Sequence, residues 1–127
     1  MWIIACLFAL LAVALGALGS HALKASLSAS SLAAWQTAVH YQMFHSLALL
    51  VISIEQKRAP SLYLKRAAYF FIGGIICFSG SIFLLSSKSL HIGDVISFLG
   101  PVTPIGGICF LVAWVLCILH ATNNKYE

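Results

Sequence analysis

"TAVHYQMFHSLALL", residues 37–50, sits in an otherwise oily chain and carries His40, Tyr41, Gln42 and His45. Its small and polar residues recur in steps of three and four, as Ala34, Ala38, Gln42, His45 and Leu49. That period belongs to a helix and not to the two-residue alternation of a strand. A helix crossing lipid gains nothing from an amide or an imidazole turned toward acyl chains, so Gln42 and His45 must face other protein. The stretch therefore predicts several membrane helices packed together, not one lone anchor.

Composition agrees. The 127 residues are 61% hydrophobic and 8% charged, with mean hydropathy +1.01. A soluble domain carries about a quarter of its residues charged, so this chain cannot cover itself in water. Four apolar segments stand out, at about 2–19, 35–54, 67–85 and 101–119, the second helix beginning near Ser28. Each can cross ~30 Å of hydrocarbon at ~1.5 Å per residue. Backbone amides in lipid must pair within their own segment, so each is a helix. The expected fold is all-α, an integral membrane bundle of four transmembrane helices in a single domain over residues 1–127. Residues 1–22 lack the positive leading region of a secretory signal and read as a retained first helix.

Helix ends are marked. Ser28, Ser30 and Ser31 offer N-cap oxygens to the second helix, and Pro60 can open the turn into the third. Pro101 and Pro104 fall in the first turn of the fourth, and residues 91–100 read as an interfacial stretch. Lys57, Arg58, Lys65 and Arg66 crowd one loop; with Lys125 they place five basic residues on one side, against Lys24 and Lys88 on the other. The positive-inside rule then predicts both termini in the cytoplasm.

Small residues form one face of each span. They are Ala5, Ala9, Ala12, Gly16 and Gly19 in the first; Gly73, Cys77, Gly80 and Ser81 in the third; and Gly106, Cys109, Ala113 and Cys117, with Gly107 alongside, in the fourth. Such faces let helix backbones approach where no hydrophobic drive exists to pull them together. Counting about thirteen residues, ~20 Å, up from the cytoplasmic ends brings Gly16, Gln42, Ser79 and Gly107 to one height. His45 lies about a turn below, and Ser81 and Thr103 a little above. Gln42, His45, Ser79, Ser81 and Thr103 are thus the expected interhelical polar layer. His21, Lys24, Trp35 and Lys88 gather at the other surface as candidate contacts for a lipid head group.

Catalytic and metal chemistry find little footing. Cys6, Cys77, Cys109 and Cys117 lie in apolar runs without a metal spacing and read as packing residues. The three acids lie near loops or the tail, so neither a Ser–His–Asp set nor paired carboxylates can be assembled. His21 and His45 are about 15 Å or more apart along the axis, too far to share a haem. No cofactor and no metal site is implied, and seven basic residues in so apolar a chain make no nucleic-acid footprint.

"GALGSHALK" (16–24), residues 37–50, "FSGSIFLL" (78–85) and "LGPVTPIGG" (99–107), in that order, resemble the DUF423 family, also called the UPF0382 inner membrane proteins and related to eukaryotic transmembrane protein 256. The resemblance implies a small four-helix protein of the bacterial cytoplasmic membrane, and implies no particular activity. The matching positions are Gly16, Gly19, His21, Trp35, Gln42, His45, Ser79, Ser81, Pro104, Gly106 and Gly107. Ser20 stands where the family has alanine, and Ala113–Trp114 where it has a glycine–tryptophan pair.

Four functions are open at this level. The first is a non-enzymatic bundle acting through lipid or protein contacts, with the bilayer as its partner and self-association into a homo-oligomer within reach. The second is a small-solute or proton-linked transporter or channel using His45 and Gln42, although small exporters of this size use a membrane-embedded acid that no span here contains. The third is a lipid sensor at the head-group cluster. An enzyme is the fourth, and no catalytic set supports it.

Overall fold

The computed structural model describes residues 1–88 and 99–123. Regular structure among them is helical, in four long apolar helices: α1 (Trp2–Ser20), α2 (Ala29–Arg58), α3 (Leu62–Ser86) and α4 (Val102–Asn123). Residues 91–98 of the expected interfacial stretch, and Lys125, lie outside the described residues.

The helix boundaries have local causes. Ser28 caps α2, its Oγ accepting from the backbone N–H of Ser31 at 3.2 Å. Ser61 caps α3, accepting from the N–H of Tyr63 at 3.2 Å. Pro60 therefore precedes the helix instead of opening it. At 30 residues, α2 spans ~45 Å and outruns the hydrocarbon layer, so its basic last turn stands beyond it. α3 is not uniform: Leu62–Gly74 and Ser81–Ser86 are α-helical, and Ile75–Gly80 between them is a π turn, a feature that helical periodicity does not announce.

α1 packs chiefly on α2, α3 on α4, and α2 lies along both α1 and α3. The shared core runs through Ala5, Leu49, Ile52, Leu64, Ala67, Ala68, Phe71, Ile75, Phe110 and Ala113. Ile3, Phe44, Leu111 and Ile118 point outward, as lipid allows.

Three glycines set the closest approaches. A Cβ at Gly19 would stand 2.7 Å from Trp35 Cδ1. One at Gly74 would meet the Phe110 ring at 2.5 Å, and one at Gly106 would overlap the backbone nitrogen of Phe78. Gly16 is tight, its Cβ position 3.3 Å from Val39 Cγ1. Gly73 and Gly80 have open space where a Cβ would stand, and Gly107 meets Phe78 only at 4.0 Å. This corrects the expected face of α3 at Gly73 and Gly80. Its buried side follows Leu64, Ala67, Ala68, Phe71, Gly74 and Ile75. Gly73 is one position, about 100°, off that side.

Gly106→Ala forces a methyl against backbone that cannot swing away, and should lower stability by about 1–3 kcal/mol. Gly73→Ala should be neutral or slightly stabilising, since helix propensity favours alanine by about 0.5–1 kcal/mol. Thermal unfolding of both variants in mild detergent measures the contrast.

Candidate functional site

α1 and α2 are joined by two side-chain N–H groups that reach across into main-chain carbonyls. Trp35 Nε1 donates to the oxygen of Leu15 and Gln42 Nε2 to the oxygen of Phe8, both at 2.9 Å. Trp35 and Gln42 are seven positions apart, as are Phe8 and Leu15, so the bonds are rungs about two turns apart between antiparallel helices. Gln42 is 4% exposed and Trp35 5%. Two expectations change here. Gln42 stands opposite Phe8 and not at the height of Gly16, because α2 runs on past the start of α1. Trp35 is enclosed under Gly19, with its ring 4.7 Å from that of Phe83, and does not offer itself to head groups. His21, Lys24 and Lys88 are exposed.

The five residues of the expected polar layer do not meet as one layer. Ser81 and Thr103 bond to each other at 2.7 Å, linking α3 to α4. The Ser79 hydroxyl is buried and has no hydrogen-bond partner among the described residues. Gln42 is committed to α1. His45, almost one turn on and about 60° round α2 from Gln42, belongs to an aromatic cluster with α3 and α4.

That cluster is the most developed site in the described chain. The His45 imidazole lies flat on Phe110, with centroids 3.6 Å apart and planes at 10°. Phe71, Tyr41 and Trp114 surround it at 5.4, 5.7 and 6.3 Å. His45 Nδ1 is 2.7 Å from the main-chain oxygen of Tyr41, one turn back. A carbonyl can only accept, so Nδ1 carries the hydrogen. Glu55 is the one acid among the described residues, and it lies about 15 Å further along α2, so a charged ring would have no counter-ion among the described residues. In the neutral ring Nε2 is then a bare acceptor. Nε2 makes no hydrogen bond to the described residues and is not sealed in the interior. His45 lines a groove of about 600 Å³, together with Tyr41, Phe78, Pro104, Gly107, Ile108, Phe110, Leu111 and Trp114.

Trp114 also borders a second cavity, of about 270 Å³, nearer the end of α2. Glu55, Cys117 and His120 line it. His120, 4% exposed, places Nε2 3.9 Å from Glu55 Oε1, bringing α4 and α2 together at this end. In the sequence Glu55 reads only as an acid near a loop, and His120 as a histidine near a helix end with no role. Their shared depth on two separate helices was the missing signal. Sequence reasoning passed over Phe110 and Gly74 as well, although Phe110 shares a face with Gly106 and Ala113.

The family model described as "Protein of unknown function (DUF423)" matches residues 15–107. The UPF0382 membrane protein YwdK of Bacillus subtilis is 35% identical over 91% of this chain and 89% of its own length. The UPF0382 membrane protein SAB0533 of Staphylococcus aureus is 37% identical over 92% and 90%. The UPF0382 inner membrane protein YgdD of Escherichia coli K12 is 34% identical over 98% and 91%. The chain belongs to the DUF423 family and is a multi-pass protein of the bacterial inner membrane. No solved structure matches it.

Gln42→Met keeps the bulk of the side chain but removes its donor, and Trp35→Phe removes the donor at the other rung together with one ring of a buried indole. The first should cost about 0.6–2 kcal/mol, the range for side-chain hydrogen bonds between membrane helices, and the second more, by the cavity it leaves. The double variant should be close to additive, since the rungs share no partner. Denaturant titration in detergent reads all three.

Proposed function

We propose that this protein is a non-enzymatic membrane bundle that acts by contact with components of the bilayer, taken up laterally in the groove beside His45. The observation that carries this reading is the groove's lining: rings and aliphatic side chains with one buried imidazole among them, bordered by the exposed apolar residues Ile108 and Leu111. A cavity walled in this way suits a hydrocarbon-soluble occupant and not a hydrated ion. Transport by His45 and Gln42 acting together has less support. The two side chains serve different helices, Gln42 toward Phe8 and His45 toward Phe110, so they do not line one path.

Reconstituted into liposomes, the protein should give no proton or small-solute flux above empty vesicles. Native mass spectrometry should find a membrane amphiphile retained by the wild-type chain and lost from Gly107→Leu, which fills the groove. Flux that disappears in His45→Ala would overturn the proposal in favour of transport.

A further inference from the structure

The groove also carries information about what it would hold. We propose that it binds the ring of a lipid-soluble phenol of the hydroquinone class, with His45 Nε2 accepting the hydrogen of a ring hydroxyl; this rests on the reading of the groove as a lateral site for a membrane component.

Depth is the first constraint. His45 is about 20 Å along α2 from Arg58 and about 24 Å from Ala29, near the middle of the helix. Phosphate and sugar head groups do not reach that level. A donor presented there must belong to a molecule that dissolves whole in hydrocarbon.

Polarity is the second. His45 is 8% exposed, its Nδ1 is committed to the Tyr41 carbonyl, and its Nε2 offers a lone pair with no partner among the described residues. An acceptor that faces hydrocarbon and is left empty is costly, and an O–H donor satisfies it. Among the described residues, the other polar side-chain groups on the lining are the Tyr41 hydroxyl and the Trp114 indole N–H. Both can serve a hydroxyl oxygen or a carbonyl oxygen. Nε2 alone discriminates: it accepts from a hydroxyl and meets a carbonyl oxygen lone pair to lone pair.

Shape is the third. Tyr41, Phe78, Phe110 and Trp114 present ring surfaces to the groove, and Tyr41 and Phe78 are themselves stacked with centroids 4.5 Å apart. Planar rings pack on such walls in offset or edge-on geometry. A volume of about 600 Å³ admits a substituted ring and the first units of a tail, which can leave past Ile108 and Leu111.

The site is then selective for redox state, with the reduced ring preferred over the oxidised one. The test uses the full chain in detergent under anaerobic conditions and measures by calorimetry the binding of a decyl-substituted hydroquinone, the matching quinone, the hydroquinone dimethyl ether and decanol. The hydroquinone should bind at least about tenfold more tightly than the quinone or the ether, the scale of one hydrogen bond to a buried group. Decanol, a donor without a ring, should be weaker than the hydroquinone. His45→Phe keeps a ring on Phe110 but deletes the acceptor, and should erase the preference. Gly107→Leu should remove binding while leaving His45 in place, and the ligand series on the wild-type chain needs no variant at all. Equal affinity for hydroquinone and quinone, a preference that survives His45→Phe, or decanol binding as well as the hydroquinone would each overturn the proposal. Phospholipid retained in a Gly107-dependent way without any hydroquinone preference would sink this chemistry alone. Loss of every ligand and of that retention would sink the lateral-site reading too.

Discussion

Phe110 lying against Gly74 is the contact on which the rest of the bundle depends. In lipid, helices gain little by hiding apolar surface from one another, so close shape matching and polar contacts must hold them together. The missing side chain at Gly74 makes room for a phenyl ring, and Gly106, one turn before Phe110, settles on the backbone of Phe78. α3 and α4 thereby approach closely, and the ring of Phe110 is fixed with one face turned to α2. That face receives His45. The position of the imidazole thus follows from two absent Cβ atoms on other helices.

α2 does different work toward its different neighbours. Toward α1 it uses N–H donors of Trp35 and Gln42, which find carbonyls already bonded within their own helix and so contribute register more than strength. Toward α3 and α4 it uses rings. Further along, Glu55 comes within 3.9 Å of His120 on α4. The serines between these points, Ser46 and Ser53, turn back onto the oxygens of Gln42 and Leu49 and make no claim on neighbours. Polar residues that look alike in the chain are therefore divided among register, local helix bonding and the one acceptor left open to the groove.

The four spans were legible because hydrocarbon imposes a length and a composition that few sequences meet by accident. The inward turn of Gln42 was legible for the same reason, since lipid offers it nothing. Its partner was not, because every residue carries a carbonyl and nothing singles out that of Phe8. Levels counted from helix ends misplaced Gln42 against Gly16 once α2 proved longer than α1. Small size pointed to Gly73 and Gly80, where phase with Leu64 and Phe71 would have pointed to Gly74. Phe110 was hidden because a phenylalanine in an apolar helix reads the same whether it faces protein or lipid, as Phe44 does face lipid. The π turn left no trace in the pattern at all.

This packing holds His45 as a neutral ring with hydrogen on Nδ1 and a bare Nε2 facing the groove. Nitrogen-15 NMR of the imidazole, in protein labelled at histidine and reconstituted in bilayers, with His45→Phe to assign the signal, reads this directly. One protonated nitrogen at Nδ1 and one unprotonated nitrogen at Nε2 is the predicted spectrum. Hydrogen on Nε2, or on both nitrogens, at neutral pH would contradict the account.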